Sequence, residues 1–271
     1  MDILLAYARG VALTLLPIAA VFALLAIATK RAAIGAALRR CRGEAATNAG
    51  LVAVNYILLA PIMVAPVLAV RAVLPVAPGF EAFWRSLPEV AILAVAILLI
   101  ELAAYWRHRI EHQPGIWRFH ATHHADEHIH WLTVLRKHPV SKFFEMLFDT
   151  MIALLLGLPA WSIVAAQLIR SWWGYFIHAD VPWTLGLAGR WLMSPAAHRL
   201  HHIRDETLMG TNFGNMLTVW DRVFDTWCDP APHLNCATGI AEGTRGVWGE
   251  LVRPWERRYR SAPPQGDEVA A

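Results

Sequence analysis

Cysteine, charge and internal repetition are all scarce in this chain of 271 residues. The three cysteines, Cys41, Cys228 and Cys236, are scattered. They supply neither a disulfide framework nor a C-x-x-C metal pair, and read as reduced thiols. Charged residues make up 17% and the net charge is only +3. With no long basic tract, nucleic acid is excluded as the expected partner. The sequence lacks a Rossmann glycine fingerprint, a cysteine cluster for an iron–sulfur centre and an appended haem-binding domain. No repeat of solenoid period is visible. Histidine, too, is absent from the first 107 residues, although thirteen occur in the chain.

What is abundant is apolar. Hydrophobic residues make up 56% and the mean hydropathy is +0.39, above an ordinary soluble domain. Residues 10–29 carry no charge over twenty positions, the length a membrane-spanning helix needs. Residues 50–70 form a second run, and residues 90–106 a third, broken only by Glu101. The region 143–175 is apolar but interrupted by Asp149, by Gly-Leu-Pro at 157–159 and by Arg170. Its arms are short for full spans and suggest a helical hairpin dipping into the membrane. The first run reads as a retained span rather than a cleaved signal, because Asp2 precedes it and a basic segment follows it. Lys30, Arg31, Arg39, Arg40 and Arg42 lie between the first two runs, against Arg71 and Arg85 after the second. The first loop is therefore expected on the cytoplasmic side, together with His108 and all that follows the third run.

The expected fold is all-α: an integral membrane helical bundle of about four hydrophobic spans with a cytoplasmic histidine-rich helical cap. Residues 1–100 would be the N-terminal membrane helices and 101–230 the catalytic region with its hairpin. Residues 231–271 would be a cytoplasmic segment whose end, 261–271, has the composition of a disordered tail. A multi-pass protein of this kind would lie in the inner membrane of a bacterium or the endoplasmic reticulum of a eukaryote.

Twelve of the thirteen histidines fall between His108 and His202. "HRIEH" places His108 and His112 four apart, on one helical face with Tyr105 and Glu101. An ionisable Glu101 inside a membrane helix is a functional candidate, or else a hydrated or paired carboxylate. His120, His123 and His124 repeat at i, i+3, i+4, and so do His198, His201 and His202. On a helix each triplet aims its imidazoles at one side. Ser194 and Pro195 write a helix start ahead of the last triplet. Eight imidazoles in three groups indicate metal, and exceed the three or four ligands of one zinc site. Two metals are expected. Ligand type alone does not choose among iron, zinc, copper and nickel. The H-E-x-x-H signature of zinc proteases is absent, because Glu111 stands fourth in "HRIEH".

The motifs "HRIEH", "HATHH" and "HRLHH" resemble the three histidine boxes of the membrane-bound fatty acid hydroxylase and sterol desaturase superfamily. "RKHP" at 136–139, "FIHADVP" ahead of the third box and "NFGNMLTVWDRVFDTW" at 212–227 extend the resemblance from about Glu101 to Trp227. It implies a non-haem di-iron enzyme that hydroxylates or desaturates a lipid C–H bond with dioxygen. The implied ligands are His108, His112, His120, His123, His124, His198, His201 and His202, with His178 as a ninth. Some relatives carry a further histidine four positions before the residue matching His178, where this chain has Gly174. His138 would replace it, serve a plain turn beside Pro139, or support a ligand from outside the metal site.

Asp126, Glu127 and Asp180 are candidates to accept the second N–H of a ligand histidine. Asp221 and Arg222 are expected to hold the cap together. Arg136 is expected to meet a lipid headgroup or to sit at the interface. Trp106, Trp117, Trp131, Trp172, Trp173, Trp183 and Trp191 are expected at membrane edges. Electrons would come from an external donor, a cytochrome b5-like protein or a ferredoxin, steered by Arg199, Arg204, Arg245, Arg257 and Arg258 or by none of them if these bind anionic lipid. A membrane zinc hydrolase and a non-catalytic metal-binding membrane protein are the alternatives.

Overall fold

The computed structural model describes residues 2–257 apart from 61, 63–68, 70–71 and 74–77. The expected second span therefore falls largely outside the described residues beyond position 60, and so do Arg71, Arg258 and the tail.

Helix α1, Asp2–Lys30, shows why lipid is the expected solvent. Leu5, Leu13, Leu16 and Leu24 each leave about two thirds of their surface exposed. A row of outward leucines along one helix is costly in water and favourable against acyl chains. The helical run Ile3–Leu58 and the helix α4, Glu89–Glu111, are both long and apolar enough to cross a membrane by length and composition.

Between them the chain departs from expectation. The basic segment after α1 is not a loop. It turns sharply at Arg31, whose φ is 48°, and forms α2, Ile34–Val52, with Glu44, Thr47, Asn48 and Leu51 on a buried face. A wide turn, Ala53–Leu58, follows. Helix α3 is Pro78–Arg85.

Helices α6, Pro139–Leu155, and α7, Ala160–Ile177, are the two arms of the expected hairpin. The reversal is made by Gly157 in the left-handed region (φ 60°) and by Pro159 ahead of α7. Both arms pack on α4, where Ile92, Ala96 and Ile100 meet Ala153, Leu158 and Ala166. Small residues at these crossings let the helices approach closely, which is how association is driven where the surroundings are themselves apolar. Two buried ion pairs clamp the same interface: Arg170 Nε donates to Glu101 Oε1 at 2.5 Å, and Arg107 Nε to Asp149 Oδ1 at 2.6 Å.

The cap is made of short helices: α5, Trp117–His124; α8, Pro195–His201; α9, Val219–Val223; and α10, Val247–Val252. Among the described residues there is no strand. Two isolated bridges, Leu192 with Leu217 and Ile203 with Thr238, tie the cap loops.

Candidate metal centre

Each histidine is positioned by a local stop or start signal. Helix α4 ends at Glu111 because Pro114 cannot continue it, and Gly115 (φ 83°) turns the chain into α5. Ser194 Oγ accepts the Ala197 N–H at 3.1 Å and Pro195 opens α8, as its sequence predicts. His178 closes α7.

These elements bring nine imidazoles together in two groups. His108, His112, His120, His124 and His201 form one; His123, His178, His198 and His202 form the other. Within each group one ring nitrogen per residue lies within 4.8 Å of all the others. The H-x-x-H-H triplets do not each serve one group. His120 and His124 enter the first group and His123 the second, while His198 and His202 enter the second and His201 the first. Residues four apart stay together and the one between them crosses over. Each short helix therefore bridges both groups, and His124 stacks on His202 at 4.3 Å between ring centroids.

Hydrogen bonding fixes the tautomers. His108 Nδ1 lies 2.8 Å from the Phe213 carbonyl and His201 Nδ1 2.7 Å from that of Thr211. A carbonyl only accepts, so both Nδ1 atoms carry the proton and both Nε2 atoms present lone pairs. Those two Nε2 atoms are nevertheless 3.0 Å apart, and His120 Nε2 is 3.1 Å from His108 Nε2. In the second group two rings are oriented by carbonyls in the same way. His178 Nδ1 donates to the Gly174 carbonyl at 2.7 Å and its Nε2 faces His198 Nε2 at 3.0 Å, while His123 Nδ1 donates to the Arg136 carbonyl at 3.3 Å. Lone pairs aimed at one another repel unless a cation lies among them. His112 Nε2 and both ring nitrogens of His124 and His202 are buried with no partner at all. Buried polar atoms are rarely left this way, and an ion is a standard reason. The residues fit metal.

Protonation points the same way. Burial pushes His201 and His178 down to about 3, and it lowers His120, His123, His124, His198 and His202 as well. Neutral imidazole is the metal-binding form.

The loop carrying the Thr211 and Phe213 carbonyls is built by the conspicuous motif at 212–227. Asn212 adopts a left-handed conformation (φ 54°) and its amide bonds Ala197 O, Cys228 O and Cys228 N. Asp221 accepts the N–H groups of Phe213 and Gly214 at 2.7 and 2.9 Å. Asp221 thus braces the cap, as expected. A Cβ on Gly214 would stand 2.4 Å from Leu217 O, so only glycine fits there.

The supporting residues differ from those expected. Arg136 is not at a lipid interface but fully enclosed, ion-paired with Asp126 Oδ1 (3.0 Å) and donating to Glu250 Oε1 (2.5 Å), Asn48 Oδ1 (2.9 Å) and Thr122 O (2.7 Å). A guanidinium with its donors spread over this many fixed acceptors is held where its backbone carbonyl can orient His123. Asp126 is occupied by Arg136, Asn48 and Thr133 rather than by an imidazole of either group. Asp180 is half exposed and pairs with Lys30 (2.6 Å) and Arg199 (2.5 Å). Glu127 pairs with Arg204. His138 stands outside both groups. Its Nδ1 accepts the Val140 N–H and its Nε2 donates to Leu251 O. Of the roles open to Glu101, pairing with another helix is the one observed. Its second oxygen also accepts the Met216 and Leu217 N–H groups. Trp117 is buried against His112 and His124, with centroids 5.0 and 5.1 Å away, not at an edge. The carboxylate beside an imidazole of these two groups is Glu111, with Oε2 3.5 Å from His120 Nδ1. Sequence reading passed over it, together with Glu44, Asn48 and Glu250.

A helical protein with a paired, buried histidine site able to hold metal is the class these features define. Residues 93–226 match the model of the fatty acid hydroxylase family, so the chain carries a fatty acid hydroxylase domain. Alkylglycerol monooxygenase of Danio rerio is 28% identical over 156 residues, covering 57% of this chain and 34% of that protein. An ornithine lipid hydroxylase of Rhizobium tropici is 27% identical over 181 residues, covering 66% of this chain and 55% of that protein. A delta(7)-sterol 5(6)-desaturase of Candida albicans is 24% identical over 184 residues, covering 66% and 43%. The chain thus aligns with between 34 and 55% of the length of these three relatives. No solved structure matches it.

Proposed function

We propose that the chain is a multi-pass membrane oxygenase that hydroxylates or desaturates a lipid C–H bond, using dioxygen and electrons from an external cytochrome b5-like or ferredoxin donor. It holds two iron ions. His108, His112, His120, His124 and His201 hold one, and His123, His178, His198 and His202 the other. The observation that carries this reading is the facing lone-pair contact of His108 and His201 at 3.0 Å, beside the partnerless buried ring nitrogens of His124 and His202. The relatives named above, hydroxylases and a desaturase of lipids, favour redox chemistry over hydrolysis.

The bound irons would supply dioxygen activation; the protein supplies the rest. Backbone carbonyls of Phe213, Thr211, Gly174 and Arg136 lock four rings in the tautomer that offers Nε2. Glu111 beside His120 offsets part of the positive charge that nine neutral ligands leave uncompensated. Burial of both groups excludes bulk water from the reacting atoms. In hydroxylation one oxygen atom enters the C–H bond and the other leaves as water, consuming two electrons and two protons from outside the chain.

The active site belongs on the cytoplasmic face. Lys30 at the end of α1 pairs with Asp180 of the cap, so the basic segment and the histidines share a side.

The test compares lipids of cells making the intact protein with cells making His201→Ala, under isotopically labelled dioxygen and with a competent donor supplied. A lipid that gains one labelled oxygen only with the intact protein supports hydroxylation, and one that loses two hydrogens without label supports desaturation. No difference would sink the oxygenase reading and bring a zinc hydrolase forward.

A further inference from the structure

A cavity of about 880 Å³ lies between α1, the end of α2, α6 and α7. Its two ends differ in chemistry. One is apolar and runs along Gly10, Val11, Val164 and Leu168, beside side chains that face the lipid. The other is polar and is lined by residues next to the second imidazole group. Gly174, whose carbonyl orients His178, lines it, and so does Lys137, which directly follows the carbonyl orienting His123.

The polar end distributes its charges unevenly. Lys137 and Lys142 both bond the single carboxylate of Glu145, Lys142 at 2.6 Å, and Lys142 also lies over the Tyr56 ring at 4.9 Å. All three charged side chains are at least three-quarters buried. Arg107 and Arg170 on the same wall are already matched, Arg107 by Asp149 and Glu111 and Arg170 by Glu101. The wall as a whole balances, these four cations against Glu101, Glu111, Asp149 and Glu145, but both lysines direct their bonds to Glu145 alone, so two ammoniums share one carboxylate. A buried ammonium sharing its counter-charge gains from a second anion.

We propose that this end of the cavity is an anionic headgroup subsite. Lys137 and Lys142 take the carboxylate or phosphate of a lipid whose chain lies along α1 and α7. The proposal rests on the lipid oxygenase reading for the role of the cavity, and it narrows the substrate to amphiphiles with an acidic head. Charge-assisted bonds from two lysines are strong enough to select such a head over an uncharged one.

The experiment uses three photo-crosslinking lipids with one diazirine-bearing chain: a fatty acid, a lysophosphatidate and an uncharged monoacylglycerol. Each is bound to the purified full chain in neutral detergent, and labelled peptides of α1 and α7 are mapped by mass spectrometry. An acidic probe is expected to label these peptides at least about five-fold more than the monoacylglycerol. Preference for the carboxylate identifies a free fatty acid as the source, and preference for the phosphate a phospholipid. Lys137→Gln leaves a matched Lys142–Glu145 pair and is expected to abolish the preference. Glu145→Gln frees both lysines and is expected to raise it, a gain that misfolding does not mimic. Equal labelling by the uncharged probe overturns the proposal, as does a Glu145→Gln protein with no gain. Selective labelling by an acidic probe without any oxidised product would leave the subsite standing and remove the oxygenase reading instead.

Discussion

Helix α1 and the cap are built on opposite rules. In α1 the leucines point outward and the polar side chains Thr14 and Thr29 bond back to their own helix at Gly10 O and Leu25 O. In the cap the interior is polar: nine imidazoles, Arg136, Asp126, Glu250 and Asn48 are all enclosed or nearly so. The first arrangement suits lipid as solvent. The second is tolerable where each charged group is matched and a cation can answer the facing lone pairs. On the proposed function, the stem positions the site and the cap does the chemistry.

The largest test of that contrast is removal of one ring. His201→Ala should lower activity by more than about 100-fold, the scale at which even supporting residues of metal sites act, while leaving α1 to α4 intact. Product yield together with helical content by circular dichroism checks both halves. Next comes the buried arginine. Arg136→Met strands Asp126 without its counter-charge, while Glu250 keeps Arg253, and should cost about 3–5 kcal/mol, read as a lower denaturation midpoint in detergent. A leucine-to-alanine change on the lipid face of α1 should cost far less.

Acid should attack the cap before the stem. His178 and His201 are held at about 3 by burial, against about 6.5 in the unfolded chain. Between those values the unfolded chain takes up protons that the fold refuses. Stability of the metal-free protein therefore falls as pH drops from about 6.5 towards 3, by up to about 1.4 kcal/mol per pH unit for each such histidine. His138, pushed down to about 4 by burial, adds in the same direction. Denaturation midpoints between pH 7.5 and 5 should decline; a flat profile would contradict the buried neutral rings. The smallest effect sharpens the comparison at the cap surface. Asp180→Asn removes only half-exposed pairs with Lys30 and Arg199 and should cost less than about 1 kcal/mol, with metal content unchanged.

Histidine spacing was legible because helical periodicity converts i, i+3, i+4 directly into a shared face. How each triplet divides between two groups was not, because that depends on where the neighbouring helix lies. Ser194 and Pro195 announced α8 locally. The supporting shell stayed hidden for a different reason. Arg136 meets Glu250 across 114 residues of sequence and Asn48 across 88, and no local pattern reports such pairings. Glu44 and Asn48 were masked further by the basic residues of α2, which read as a charged loop between spans. Glu111 was weighed only against a zinc-protease spacing, although its place one residue before His112 put it at the site.

The most direct measurement is the metal content of the protein purified without oxygen and loaded with ferrous iron. The account predicts two irons per chain, and one in His198→Ala, because the first group keeps all its rings while the second loses one of four. A single iron in the intact protein, or two that survive in His198→Ala, would contradict the division of nine imidazoles into two separate sites.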